Sequence, residues 1–214
     1  MGNKAIEAYK HALRLREETN NLPRIALTLT MLSYALTHRG TKDDLHQAIE
    51  NYKRSSRIDI LLENWQAVAR YWGDVAVTYN KRGEYQTAID YSEQALDRNE
   101  RIGFRRGIAL NHVRLTESYL RLNRFDKASF HAEQACKNLT HLATFDRKMI
   151  RSGFCNVLID LAKYLQNARR VPEAIMYVKV ALELATEANE SVALQTTIDF
   201  LQQLQEEADR IGEI

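Results

Sequence analysis

Six histidines, two cysteines and a near-even mixture of acids and bases are the side chains of this 214-residue sequence most able to do chemistry. Zinc hydrolysis would need imidazole and carboxylate ligands brought onto one helical face at metal-ligand spacing. His11, His38, His46, His112, His131 and His141 form no zinc-type arrangement, with one another or with a carboxylate. A nucleophilic cysteine needs an accessible thiol in positive surroundings. Cys136 and Cys155 instead fall at core-type helical positions and read as small hydrophobes, neither bridge nor nucleophile. The sequence has no glycine-rich phosphate loop and no G-x-S-x-G elbow. These observations point away from an enzyme, a metal site or a resident cofactor. The charges, 30 basic against 28 acidic for a net of +2, alternate in sign as in NERIGFRR. Such a balance argues against a nucleic-acid or membrane surface.

The elements that would position them are helices. Only 8 glycines and 2 prolines occur, which leaves little room for hairpins or long loops. No apolar run is long enough to span a bilayer and the N-terminus lacks a secretory apolar core, so the expected location is cytoplasmic. Apolar residues recur three and four apart in segments predicted to be helical at 3–18, 22–39, 43–58, 62–82, 85–100, 104–122, 125–140, 146–168, 172–187 and 190–210. Pro23 and Pro172 sit at helix starts, which tolerate proline best. Gly40, Gly83 and Asn123 suit left-handed turns, and Asn20, Gly103 and Asn189 suit left-handed helix ends. Arg169 occupies the corresponding turn further on and is a weaker signal.

Internal periodicity ties the helices into pairs. An alanine opens every second helix, at Ala5, Ala48, Ala88, Ala128 and Ala174, with spacings of 43, 40, 40 and 46 residues. Seven residues later another small residue follows: Ala12, Ser55, Ala95, Ala135 and Ala181. The preceding helices supply matching sets, such as Trp72, Val75, Ala76 and Tyr79, or His112, Leu115, Thr116 and Tyr119. Three residues in excess near Thr41 lengthen a turn, and six near Leu139 to Arg151 form an extended helix end or a longer loop.

The stretch around Trp72, Val75-Ala76, Tyr79, Gly83-x-Tyr85, Ala88 and Ala95-Leu96 resembles the tetratricopeptide repeat, with Ala76 where that family favours glycine. The resemblance extends over nearly the whole chain and implies an all-α, right-handed superhelix of stacked helix-turn-helix pairs closed by a C-terminal capping helix. The expected organisation is one domain, 1–214. A lone second helix lies in 1–20, complete pairs in 21–60, 61–102, 103–143 and 144–188, and the capping helix in 189–214. In the capping helix Ile198 and Leu201 face inward, while Gln202 and Gln205 replace the packing residues and present a polar outer face. The unpaired first segment would expose apolar surface, which a longer chain or a homodimer could cover.

In this family, ligand segments generally lie on the concave surface lined by the first helix of each pair. Carried over position by position, the resemblance implies binding residues Met31, Tyr34, Thr37 and His38, then Arg70, Asp74, Asn80 and Lys81. It further implies Arg114, Glu117 and Arg121, then Asn156, Asp160, Lys163 and Asn167. Arg114 and Arg121 are placed to meet acidic side chains or a terminal carboxylate. The carboxylate clamp of chaperone-binding members does not fit, because its positions hold Thr30, Tyr34, Asp74, Leu110 and Arg114. The repeats of about 40 residues are similar to those of bacterial signal-transduction ATPases and regulators, and to LGN-type and kinesin-light-chain adaptors. That likeness implies the scaffold or sensor part of a regulator or adaptor. A self-associating structural module, or a sensor for a signalling peptide or small molecule, is the alternative.

Overall fold

The computed structural model describes residues 2–188 and 191–212, which form ten α-helices without a strand among the described residues. They are α1 (Gly2–Glu18), α2 (Leu22–Arg39), α3 (Lys42–Leu61), α4 (Trp65–Arg82), α5 (Tyr85–Arg101), α6 (Arg105–Arg121), α7 (Phe125–Thr140), α8 (Thr144–Asn167), α9 (Val171–Ala188) and α10 (Ser191–Gly212). The helix ends follow local chemistry. Asn21 accepts a hydrogen bond from the Arg24 N–H at the start of α2, with Pro23 in its first turn. Thr41 and Asp44 form a reciprocal capping box on α3, and Arg39 pairs with Asp44 across the turn. The turn inside each pair runs through a left-handed residue: Gly40, Gly83, Asn123 and also Arg169, with φ of 77°, 79°, 57° and 59°. Arg169 adopts the geometry despite its Cβ because the packing of α8 on α9 fixes both ends of the turn. Between pairs the same role falls to Asn20, Glu63 and Gly103. Glu63 was invisible as a turn signal, so α3 runs three residues longer than its pattern suggested and α4 starts three later. The expected helix end at Asn189 lies outside the described residues.

Packing follows from the small residues. Ala48, Ala88, Ala128 and Ala174, and later Ala95, Ala135 and Ala181, have no exposed surface, and Ser55 is buried with them. Each lets a second helix close onto its first helix, where Leu32, Leu36, Leu115, Leu158, Leu161 and Leu165 fill the space. Burial of each such leucine contributes roughly 1.5–3 kcal/mol. On α1 the rule lapses: Ala5 is exposed, while Ile6 is buried against α2. The six extra residues near position 145 lengthen α8 at its start and form no loop. In α10, Leu204 is buried and Ile198 and Leu201 are half-buried, whereas Gln202 and Gln205 are exposed.

Beyond consecutive helices, α2 touches α4, α4 touches α6 and α6 touches α8. No comparable packing joins α3 to α5 or α5 to α7 among the described residues. The first helices therefore form a closely spaced inner row and the second helices fan out behind them. That difference in spacing makes the face carried by α2, α4, α6 and α8 concave.

The α6–α7 contact contains a histidine pair that spacing along the sequence does not reveal. The Nδ1 atoms of His112 and His131 lie 3.0 Å apart, so one imidazole donates and the other accepts, and both are neutral. His131 also stacks on Tyr119, meets the edge of Phe130 and lies near Lys127. Burial lowers both histidines to about 4, and His131 is pushed down further by His112 and Lys127. The unfolded chain, with histidines near 6.5, takes up protons that the folded chain refuses, so the pair's stabilisation is lost as pH falls from about 6.5 toward 4. Thermal melts between pH 7 and 5 should show a steeper loss of Tm for the wild-type chain than for a His112→Leu/His131→Phe variant. The carboxyls pushed up elsewhere, at Asp59, Asp74 and Glu117, are common to both proteins and cancel in the comparison.

Candidate binding surface on the inner face

The inner face divides into three parts, and the divisions follow from which side chains find partners within the chain. At the N-terminal end, α2 turns Leu27, Met31 and Tyr34 outward, 49%, 36% and 58% exposed. The edge of Tyr34 meets His38 at 4.5 Å between ring centres. With Tyr9 and Lys4 of α1 and Ala35 of α2, Met31, Tyr34 and His38 border a depression of about 880 Å³. This end is an apolar shelf.

The middle is a seam in which α2, α4 and α6 satisfy one another. Arg114 Nη2 donates to Asp74 Oδ1 at 3.1 Å, and its Nη1 donates to Asn111 Oδ1 at 3.0 Å. Gly73 makes room for this: a Cβ there would run into the Arg114 guanidinium. Burial pushes the Asp74 carboxyl up and the Arg114 guanidinium down, and each holds the other ionised. Thr37 is buried and its hydroxyl meets that of Thr78 at 3.1 Å, while Lys81 Nζ donates to the Thr37 carbonyl at 3.0 Å. Asn80 is buried too and accepts a 2.9 Å hydrogen bond from Ser118. Arg70, beside the seam, remains exposed.

The C-terminal part is a pocket of about 560 Å³ between α6 and α8. Glu117 and Arg121 line it from α6; Asn156, Asp160, Lys163 and Asn167 line it from α8. Leu120, Val157 and Tyr164 add apolar wall, and Gly153 leaves one side open. None of the four charged residues makes a hydrogen bond or ion pair with a described residue, in contrast to the seam next to them. Glu117 is half-buried, and burial pushes its carboxyl up; Asp160 adds to that shift and Arg121 opposes it.

The structure therefore separates the fifteen residues expected to bind. Met31, Tyr34 and His38 share the N-terminal shelf, and Glu117, Arg121, Asn156, Asp160, Lys163 and Asn167 share the C-terminal pocket. Thr37, Asp74, Asn80, Lys81 and Arg114 are engaged between helices, and Arg70 stands alone. The expectation that Arg114 is free to meet an acidic ligand gives way to an internal ion pair, because Asp74 lies at the equivalent position of the neighbouring repeat. Sequence reasoning missed Tyr9, Gly153 and Tyr164. Gly153 and Tyr164 fall on the Asn156 side of α8 at helical spacing, and that spacing within the predicted helix 146–168 was the signal that could have found them. Among the described residues no three His, Cys, Asp or Glu side chains are placed to hold a metal ion, and no helix is long and apolar enough to cross a membrane.

A profile of the family described as Tetratricopeptide repeat matches residues 67–140, which carry nearly all of α4 and the whole of α5, α6 and α7. Solved structures extend the likeness over the rest of the chain. BtubC (BKLC) from P. vanneervenii superposes with a TM-score of 0.67 at 13% identity, covering 98% of this chain and 92% of that one. The apo form of RapI gives 0.72 at 18% identity over 90% of this chain and 51% of that one. Rap protein complexed with Competence and Sporulation Factor gives 0.60 at 16% identity, over 98% of this chain and 60% of that one. No curated protein sequence matches. Residues 67–140 thus match the tetratricopeptide-repeat family, and the chain shares the all-α helical-repeat fold of these structures.

The Asp74–Arg114 pair should behave as a structural link. Its side chains are only 22% and 15% exposed, so Asp74→Ala and Arg114→Ala should each cost about 3 kcal/mol in urea unfolding. The double variant should cost less than the sum by about 1 kcal/mol, the coupling expected of contacting charges.

Proposed function

We propose that this chain is a protein- or peptide-binding module, the scaffold or sensor part of a larger regulator or adaptor, and that it holds a segment of its partner on the inner face of the superhelix. The observation that carries the reading is the pocket between α6 and α8. It gathers two carboxylates, two cations and two carboxamides over apolar wall, unpaired, beside a seam where comparable groups are paired. Arg121, Asp160, Lys163, Asn156 and Asn167 are exposed and Glu117 is half-buried, so these groups are open to the polar groups of a ligand laid against the apolar wall. The apolar shelf at α2 offers a second anchor, as Tyr34 and Met31 turn outward and stay exposed. The crystal structure of Rap protein complexed with Competence and Sporulation Factor supports a binding role on a similar fold.

Site-specific photo-cross-linking tests the proposal. A photoreactive residue at Met31 or Asn167, on the inner face, should trap the captured partner. The same residue at Gln47 or Gln94, exposed on the second helices α3 and α5, should not. An Arg121→Glu/Lys163→Glu variant should lose about tenfold or more in partner affinity while keeping its Tm. Equal trapping from the outer positions would reject the inner face as the binding surface.

A further inference from the structure

The charges of the α6–α8 pocket carry more than a general binding role, because their number and order restrict what can bind. On each helix the acid precedes the base: Glu117 comes about one turn before Arg121 on α6, and Asp160 about one turn before Lys163 on α8. The rise from 117 to 121 is about 6 Å and that from 160 to 163 about 4.5 Å. Burial pushes the Glu117 carboxyl up, Arg121 opposes that shift and Asp160 adds to it, and all three line the pocket together with Lys163. Two acids and two bases give the pocket no net charge. A ligand group of one sign would therefore gain from one pair and lose to the other. Only a ligand carrying both signs in the matching order gains from all four, and the apolar wall of Leu120, Val157 and Tyr164 weakens the screening that would blur the distinction.

Resting on the inner-face reading above, we propose that this pocket is a dipolar subsite for a peptide segment bearing a basic and an acidic side chain two residues apart. The basic side chain sits between Glu117 and Asp160, and the acidic one between Arg121 and Lys163. Residues i and i+2 of an extended strand point the same way and lie about 6.6 Å apart, which matches the offset between the two layers. Asn156 and Asn167, at the two ends of the α8 row, offer carboxamides to the peptide backbone on either side. The order matters: a segment with acid and base exchanged would set like charges against like.

The test is peptide selection on the full chain. Random twelve-residue peptides displayed on phage would be selected against the wild type, a Glu117→Gln/Asp160→Asn variant and an Arg121→Gln/Lys163→Gln variant. All four side chains lie outside the core, so circular dichroism should show the variants folded. Wild-type selections should enrich a basic-x-acidic pair in one order. The first variant should lose the basic preference and keep the acidic one, and the second should do the reverse. A synthetic copy of a selected peptide should bind each variant about tenfold more weakly, and its charge-exchanged version should bind the wild type equally weakly. Peptides that cross-link to α6 and α8 without an ordered charge pair would overturn the dipolar subsite and leave the inner-face reading standing. Peptides that map to the second helices, or a failure to select any, would overturn both.

Discussion

Everything in this fold depends on how closely two helices approach at an alanine. Ala48, Ala88, Ala128 and Ala174 are fully buried where each second helix meets its first. A larger side chain there would push the axes apart and displace the leucines and tyrosines that fill the flanks. Because the approach is repeated at near-constant spacing, each pair stacks on the next in the same way. The inner row of first helices then lies closer together than the outer row. Curvature, and with it a concave face, is a consequence of small residues at one position per repeat.

A concave face built this way brings equivalent residues of neighbouring repeats together, and their signs decide what becomes of them. Where the equivalents are Asp74 and Arg114, they meet at 3.1 Å, Gly73 gives the guanidinium room, and both charges are consumed. One repeat further on, Arg114 is followed by Asp160 and Glu117 by Lys163. There the Asp74–Arg114 pair has already claimed the nearest cation. Glu117, Arg121, Asp160 and Lys163 are left lining a cavity instead of closing it. The unpaired charges of the inner face thus come from a break in an otherwise self-satisfying pattern.

The sequence by itself determined the helices, their pairing and the inner-face row. Helical period, small-residue anchors and left-handed turn residues are local signals, each legible within a few turns of chain. It read Gly40, Gly83 and Asn123 correctly as turns, and it placed the polar face of α10 through Gln202 and Gln205. Glu63 and Arg169 escaped or weakened the reading because their left-handed conformations are imposed by packing on either side, which no local preference announces. What only the tertiary structure decided is which inner-face residues are spent and which remain. His112 and His131 are nineteen residues apart yet share a hydrogen bond, and Asp74 meets Arg114 across forty. A charge in a sequence has no partner until the superhelical pitch sets the distance between repeats. Pairing energy falls off within a few ångströms, so a small difference in that distance separates a structural link from a free ligand contact.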